Sequence, residues 1–273
     1  MRLENKVILV TASTRGIGLA IVKNCAKEGA IVYMAARNLE RANLIAQELN
    51  NSGYNVKVVY NDANKQGTYI TMIDEVIKGE GKIDVLVNNF GTSNPKIDLN
   101  IEHTKYDDFI NIINMNISSV FIASQYAIKY MKENGGSIIN ISSISGIIPD
   151  ISQIAYGVSK ASINYLTKEI AGQTASYNIR CNAILPGMTA TDAVNNNLTS
   201  VFKDFFLRHS PIKRMASPEE IANAVIYFAS DESAFTTGQI LAIHGGFGMV
   251  TPLYADMIEK QNKRWIYTLK TPH

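Results

Sequence analysis

Short, unbroken apolar runs alternate along this chain with stretches in which apolar residues return every three or four positions. Residues 7–11 are the first such run, and its brevity and lack of polar alternation predict a strand buried on both faces. Residues 17–28 follow with Ile17, Ala20, Ile21 and Cys25 on one helical face, and Gly29 ends them. The pattern then predicts strands at 31–35, 56–60 and 85–87, with helices at 39–49 and 70–77. A helix over 110–131, interrupted at Ser118-Ser119, leads to a strand at 137–141, a helix over 155–175 and a strand at 180–185. Ser217 as N-cap, Pro218 at the first position and Glu220 three residues after the cap open a helix over 218–230 with a capping box. A last strand falls at 239–243. Seven strands alternating with helices predict α/β architecture: one doubly wound parallel sheet flanked by helices.

No linker rich in Pro, Gly or Ser divides residues 1–250, and no internal repeat is present. Residues 189–214 form the one long insertion without strand character, just beyond a strand's carboxyl end, where ligands bind in such sheets. A peripheral helical hairpin would account for it, but the functional bias of long loops favours a substrate lid. Residues 251–273, with Tyr254, Trp265 and Tyr267, run past the domain as a tail. That tail closes the pocket, contacts a neighbouring subunit or is disordered.

Composition narrows the classes. A chain of 273 residues suits one large domain, and 46% hydrophobic with 18% charged residues is ordinary for a globular protein. A net charge of +2, with scattered Lys and Arg, implies no nucleic-acid surface; Lys263-Arg264 reads as solvated. Cys25 and Cys181 are too few for a disulfide framework and fall in predicted core elements. His103, His209, His244 and His273 lie far apart without a cysteine or carboxylate at ligand spacing, so no metal is expected. No apolar run reaches the roughly 18 residues that span a bilayer, and the first strand is too short for a signal-peptide core. A cytoplasmic protein without a membrane partner is the expectation.

The chemistry centres on Tyr156-Gly157-Val158-Ser159-Lys160. On a helix, residues four apart share a face, and a cation beside a phenol is expected to lower its pKa and fit it for proton transfer. Near the amino terminus, Thr11-Ala12-Ser13-Thr14-Arg15-Gly16-Ile17-Gly18 joins a strand to a helix. Gly16 would admit a pyrophosphate close to the backbone, Gly18 would allow close helix packing, and the helix terminus offers free amides. A tight turn alone would explain the glycines nearly as well.

Taken in order, these segments resemble the short-chain dehydrogenase/reductase family over about residues 3–247. The first loop resembles its Thr-Gly-x-x-x-Gly-x-Gly motif, followed by Asp62, Asn88-Asn89-Phe90-Gly91, Asn116, Ser143, Tyr156 with Lys160, and Pro186-Gly187. The resemblance implies a single-domain Rossmann fold, a homotetramer and a nicotinamide cofactor. It implies that Tyr156 is the proton donor or acceptor and that Lys160 lowers its pKa and holds the nicotinamide ribose. Ser143 would steady the substrate oxygen, and Asn116 would anchor a proton-relay water. Read from the residues alone, Asn116 could cap a turn and Ser143 could end a strand. The cofactor set it implies is Thr11, Ser13, Thr14, Arg15, Gly16, Ile17 and Gly18 from the first loop. To these it adds Arg37, Asp62, Asn89, Gly91, Tyr156, Lys160, Pro186, Gly187, Thr189 and Thr191. Two departures stand out: Ala12 replaces the first glycine, and Phe90 replaces a small residue, to line a pocket or to pack the core.

The second strand ends Met34-Ala35-Ala36-Arg37-Asn38, without the acid that holds a ribose diol. Arg15 and Arg37 could instead clasp a 2′-phosphate, which makes NADP(H) the expected cofactor, unless both are merely solvated charges. The first loop, Asn-Asn-aromatic-Gly, Ile148-Pro149-Asp150-Ile151-Ser152 and Thr251-Pro252-Leu253-Tyr254 are similar to bacterial NADP-dependent 7α-hydroxysteroid dehydrogenases acting on bile acids. That resemblance implies a steroid cleft, with Ile144, Ile147, Ile148, Pro149 and Met188 as candidate lining. Val194, Leu198, Val201, Phe205 and Phe206 would add to that lining, although Leu198, Phe205 and Phe206 could merely pack the insertion on the sheet. A 3-oxoacyl-carrier-protein reductase stays open, because Lys203, Arg208, Lys213 and Arg214 could greet an acidic carrier. Reduction of a sugar or polyol, and cofactor binding without turnover, fit less well.

Overall fold

The structure, a computed structural model, describes residues 1–261; Lys263, Arg264, Trp265, Tyr267 and His273 lie outside the described residues. In chain order the strands are β1 (Val7–Thr11), β2 (Ile31–Ala36), β3 (Asn55–Tyr60), β4 (Val85–Asn88), β5 (Gly136–Ile141), β6 (Ile179–Pro186) and β7 (Ile240–Ile243). Helices α1 (Gly16–Lys27), α2 (Leu39–Asn51), α3 (Gly67–Glu80), α4 (Tyr106–Met131) and α5 (Ile154–Thr174) link the first six. Between β6 and β7 come α6 (Asp192–Asn197), α7 (Ser200–Arg208) and α8 (Pro218–Ala229), and α9 (Tyr254–Gln261) follows β7.

All pairings are parallel, in the order β3-β2-β1-β4-β5-β6-β7. Alternate residues of β1 feed two cores. Ile8 and Val10 join Ile21 of α1, Leu49 of α2 and Ile226 of α8, while Val7 and Leu9 join Ile73 of α3, Ala127 of α4 and Ile170 of α5. The strand order reverses between β1 and β4, which leaves a crevice at their carboxyl ends. Thr11 fixes that crevice: its buried hydroxyl accepts from the N–H groups of Asn89 (2.9 Å) and Phe90 (3.1 Å).

Asn88 donates to Ser124 (3.1 Å) and Asn140 (2.9 Å), and Asn140 donates to Thr167 (2.9 Å). This buried ladder joins β4, β5, α4 and α5 beneath the crevice. The expected break at Ser118-Ser119 does not occur; α4 runs through it. Both hydroxyls bond within the helix, Ser118 to Asn114 Oδ1 and Ser119 to the Asn116 carbonyl, each at 2.8 Å. The Ser217–Glu220 capping box opens α8. Cys25 and Cys181 are buried, and burial pushes the Cys25 thiol up to about 12. Among the described residues no helix is long and apolar enough to cross a membrane, and no His, Cys, Asp or Glu cluster could hold a metal ion.

Candidate active site

Tyr156 sits in the first turn of α5, and its place is set from outside the helix. Asp98 is fully buried, and its two carboxylate oxygens accept from the N–H groups of Ala155 (2.8 Å) and Tyr156 (2.9 Å). The carbonyls of Asp98 and Leu99 accept from Gln153 and Ile154, each at 3.2 Å. The amides that open the helix are thereby satisfied by one loop. Asp98 escaped the sequence reading, since a lone acid in a loop carries no periodic signal; its distance from α5 in the chain hides its role as a cap.

Ser143 lies two residues past the end of β5 and caps a 3-10 turn, Ile144–Gly146. Its Oγ accepts from Ser145 N–H at 3.1 Å. A Cβ on Gly146 would run into the Asn164 amide and the Lys160 main chain, so the turn sits flush on α5 and keeps Ser143 beside Tyr156. Burial pushes the Tyr156 phenol above its usual value, and the Ser143 hydroxyl opposes that. Lys160 is not among the groups that move it. Lys160 is itself buried, donates from Nζ to the Ile141 carbonyl at 3.0 Å, and lies 5.6 Å from the Tyr156 ring centroid. Desolvation draws its ammonium down to about 8.

Asn116 is placed behind the site. Its Oδ1 accepts from Thr92 N–H (2.8 Å), and its Nδ2 donates to the Thr92 carbonyl (3.0 Å) and Ser159 Oγ (2.9 Å). Its side chain is spent on holding the loop after β4 against α5, and it does not line the cavity.

That cavity, about 380 Å³, opens at the carboxyl ends of the central strands and contains Ser143, Tyr156 and Lys160. Asn89, Gly91, Pro186, Gly187, Thr189 and Thr191 lie on it, and so does Ile17. A second cavity of about 230 Å³ continues past Arg15, Gly16, Ile17 and Gly18 to Phe90. Phe90 therefore lines a pocket. These residues fit a dinucleotide. The α1 terminus has no side-chain cap and no acid in its first turn, which leaves its amides open to phosphate. A Cβ on Gly18 would strike the Ala12 carbonyl and the Asn89 amide, so the loop closes tightly only because that position is glycine. Ala12 itself adopts φ +51°, the left-handed region a glycine would take without strain.

Several expected cofactor residues stand apart. Thr11 is occupied between β1 and β4, and Ser13 Oγ donates to the Ala35 carbonyl at 3.2 Å. Thr14, Arg37 and Asp62 border neither cavity. Asp62 is held below the usual carboxylate range by Asn64, whose N–H donates to it at 3.1 Å, with a smaller contribution from the nearby Arg37 charge.

The insertion after β6 folds as α6 and α7, and Val194, Leu198, Phe202 and Phe206 face the cavity with Met188 and Ile144. Phe205 does not; it is 61% exposed and meets His209 edge-on at 5.3 Å. Val201 also points out, while Ile147 and Pro149 line a neighbouring apolar cavity of about 410 Å³. Phe202 was missed, although its four-residue spacing from Phe206 on α7 marks the correct face. Phe247 stacks on Phe206 at 4.1 Å, and Asp256 of α9 pairs with Arg208 at 2.9 Å, so the described part of the tail packs against α7.

A doubly wound sheet with a Ser–Tyr–Lys group at its reversal crevice defines an oxidoreductase of nucleotide-binding type. Residues 11–248 match the family model described as Enoyl-(Acyl carrier protein) reductase, and the chain belongs to the short-chain dehydrogenase/reductase family, which uses a nicotinamide cofactor. It is 49% identical over 256 residues to a 7alpha-hydroxysteroid dehydrogenase of Clostridium sardiniense, covering 93% of this chain and 98% of that one. A 7alpha-hydroxysteroid dehydrogenase of Paraclostridium sordellii is 50% identical over 259 residues, covering 94% and 97%. The crystal structure of a short-chain type dehydrogenase/reductase from Mycobacterium marinum superposes with a TM-score of 0.85 at 30% identity, covering 91% of this chain and 97% of that one.

Proposed function

We propose that this protein reversibly oxidises the 7α-hydroxyl of a bile-acid-type steroid with NADP(H). The observation that carries the reading is an apolar lid facing Ser143 and Tyr156 in a chain about half identical to two 7alpha-hydroxysteroid dehydrogenases. The bound nicotinamide would supply the hydride acceptor. Asn89, Gly91, Pro186, Gly187 and Thr189 would hold it, with Arg15 at the phosphate end. Ser143 Oγ holds the substrate oxygen, and Tyr156 Oη takes its proton in oxidation and returns it in reduction. Lys160, fixed on the Ile141 carbonyl, keeps a positive charge beside the ring. Asp98 and Asn116 position α5 and the loop facing it. A cytoplasmic homotetramer is the corresponding setting and assembly, which light scattering would test.

NADP is favoured over NAD by Arg15 on the cofactor cavity and by the absence of an acid at the tip of β2, beside which Arg37 stands in sequence. A charge-assisted contact would be worth about one to two orders of magnitude in preference. The carrier-protein alternative is weakened by the lid's charges. Arg208 pairs with Asp256 at 2.9 Å and Arg214 with Glu220 at 2.7 Å, and Lys213 lies over the Tyr254 ring.

The test is cofactor reduction, followed by its near-ultraviolet absorbance, with four bile acids. Cholate and chenodeoxycholate, which carry a 7α-hydroxyl, should be oxidised; deoxycholate and lithocholate, which lack it, should not. Equal rates with all four would refute the assignment to position 7, and higher kcat/KM with NAD would refute the cofactor.

A further inference from the structure

The two segments that bound the substrate cavity differ in chemistry. The segment after β6 contributes Met188, Val194, Leu198, Phe202 and Phe206. Its two threonines are spent on the backbone: Thr189 Oγ donates to the Gly187 carbonyl at 3.1 Å, and Thr191 Oγ accepts from Val194 N–H at 3.3 Å. That side therefore offers a substrate no charged or amide side chain, and its two hydroxyls each hold the main chain. The segment after β5 contributes Ser145, Asp150 and Gln153 alongside Ser143 and Tyr156. Gln153 accepts at Oε1 from the Ser93 hydroxyl, and its Nε2 has no protein partner among the described residues. Asp150 accepts at Oδ1 from Ile151 N–H at 2.6 Å, and its Oδ2 has none. A free donor and a free acceptor thus stand on one side of the cavity, a few residues from the catalytic tyrosine.

The ring system of a bile acid is divided in the same way. Its hydroxyls lie on the α face, and its angular methyls make the β face apolar. With the 7α oxygen at Ser143 and Tyr156, matching the two chemistries would turn the α face toward the segment after β5 and the methyls toward the segment after β6. Resting on the function proposed above, we infer that Asp150 and Gln153 bind a second α-face hydroxyl of the steroid. That hydroxyl donates to the Asp150 carboxylate and accepts from Gln153 Nε2. The residues read configuration, because a β-oriented hydroxyl would point into the apolar lid and forfeit both bonds while losing its water.

A series of 7α-hydroxy-5β-cholanates tests this, with the hydroxyl at carbon 3 in α configuration, in β configuration or absent, each with and without a 12α-hydroxyl. In the wild-type protein, kcat/KM for a substrate with a second α-hydroxyl should exceed that for the 7α-monohydroxy compound by about tenfold to a hundredfold, the range of a hydrogen bond to a charged group. In Asp150→Ala that ratio should collapse toward unity, and in Gln153→Leu it should fall part of the way. The ratio is internal to each variant, so lost folding does not imitate the effect. A wild-type ratio near unity, or one undiminished in both variants, overturns the inference and leaves the proposed function intact. No turnover of any 7α-hydroxy steroid sinks both.

Discussion

Removing the Asp98 carboxylate should disable the enzyme without touching a reacting group. Asp98→Ala leaves two buried N–H groups, those of Ala155 and Tyr156, without acceptors now 2.8 and 2.9 Å away. A hydrogen bond to a charged group contributes about 1.5–3 kcal/mol, and removing the buried carboxylate returns part of that by ending its desolvation. A net loss of about 3 kcal/mol is expected, or roughly 6–10 °C in Tm for a domain of this size. The first turn of α5 frays, and it carries Tyr156. Displaced from Ser143, the phenol loses the one influence that opposes its rise. Below the lowered Tm, kcat should fall about ten- to hundredfold, since small misplacements at a reacting centre are costly. The alkaline limb of the oxidation profile should shift, because fraying alters both the burial that raises the phenol and the Ser143 contact that opposes it, and cofactor affinity measured by fluorescence titration should hold. Asp98→Asn retains one acceptor oxygen and should recover part of both losses. A kcat within twofold of wild type in Asp98→Ala, with an unmoved pH profile, would show that the cap does not govern the tyrosine.

Tyr156→Phe should fold normally and lose roughly 10²- to 10⁴-fold in kcat, checked by steady-state turnover beside a circular-dichroism spectrum. Because burial raises the phenol, oxidation, which needs the phenolate, should quicken as pH climbs through that raised value, while reduction, which needs the phenol, should slow there. Lys160 sits at about 8 in the fold against about 10.4 unfolded, so the unfolded chain binds more protons between those values. Wild-type stability relative to Lys160→Met should therefore rise with pH across that window, by up to roughly 3 kcal/mol, and be lowest below pH 8. Urea denaturation of both proteins at three pH values checks the sign; a falling difference contradicts it. Ala12→Gly should raise stability by about 1 kcal/mol, since Ala12 is exposed and left-handed; a lowered Tm would mean the loop is not strained there.

Much of this was legible in the chain because local rules and tertiary demands coincide. Buried parallel strands must be continuously apolar, so residues 7–11 announce β1 at its full length, and the capping box marks the start of α8 to the residue. What escaped needed distances between segments. Thr11, Ser13 and Asn116 carry groups that a sequence can assign to a ligand as readily as to the protein's own backbone, and in the fold the backbone claims them. The pairing of Tyr156 with Lys160 was plain from spacing, but the direction of the phenol's shift was not, because it follows burial, which only the assembled fold sets, while the Lys160 ammonium is turned to the Ile141 carbonyl. On the lid, hydrophobicity alone could not choose between Phe202 and Phe205; the phase of a nine-residue helix chose.

The asparagine ladder under the crevice sets where this scaffold can be altered. Asn88, Asn140 and Thr167 are buried and hydrogen-bonded in series, with Asn88 Oδ1 already left without a partner among the described residues, so enlarging or greasing any of them strands further polar groups beneath the crevice. The aromatic and aliphatic side chains of α6 and α7 answer to no such mutual obligation. An engineer seeking a different substrate would diversify Val194, Leu198 and Phe202 and leave the asparagines alone.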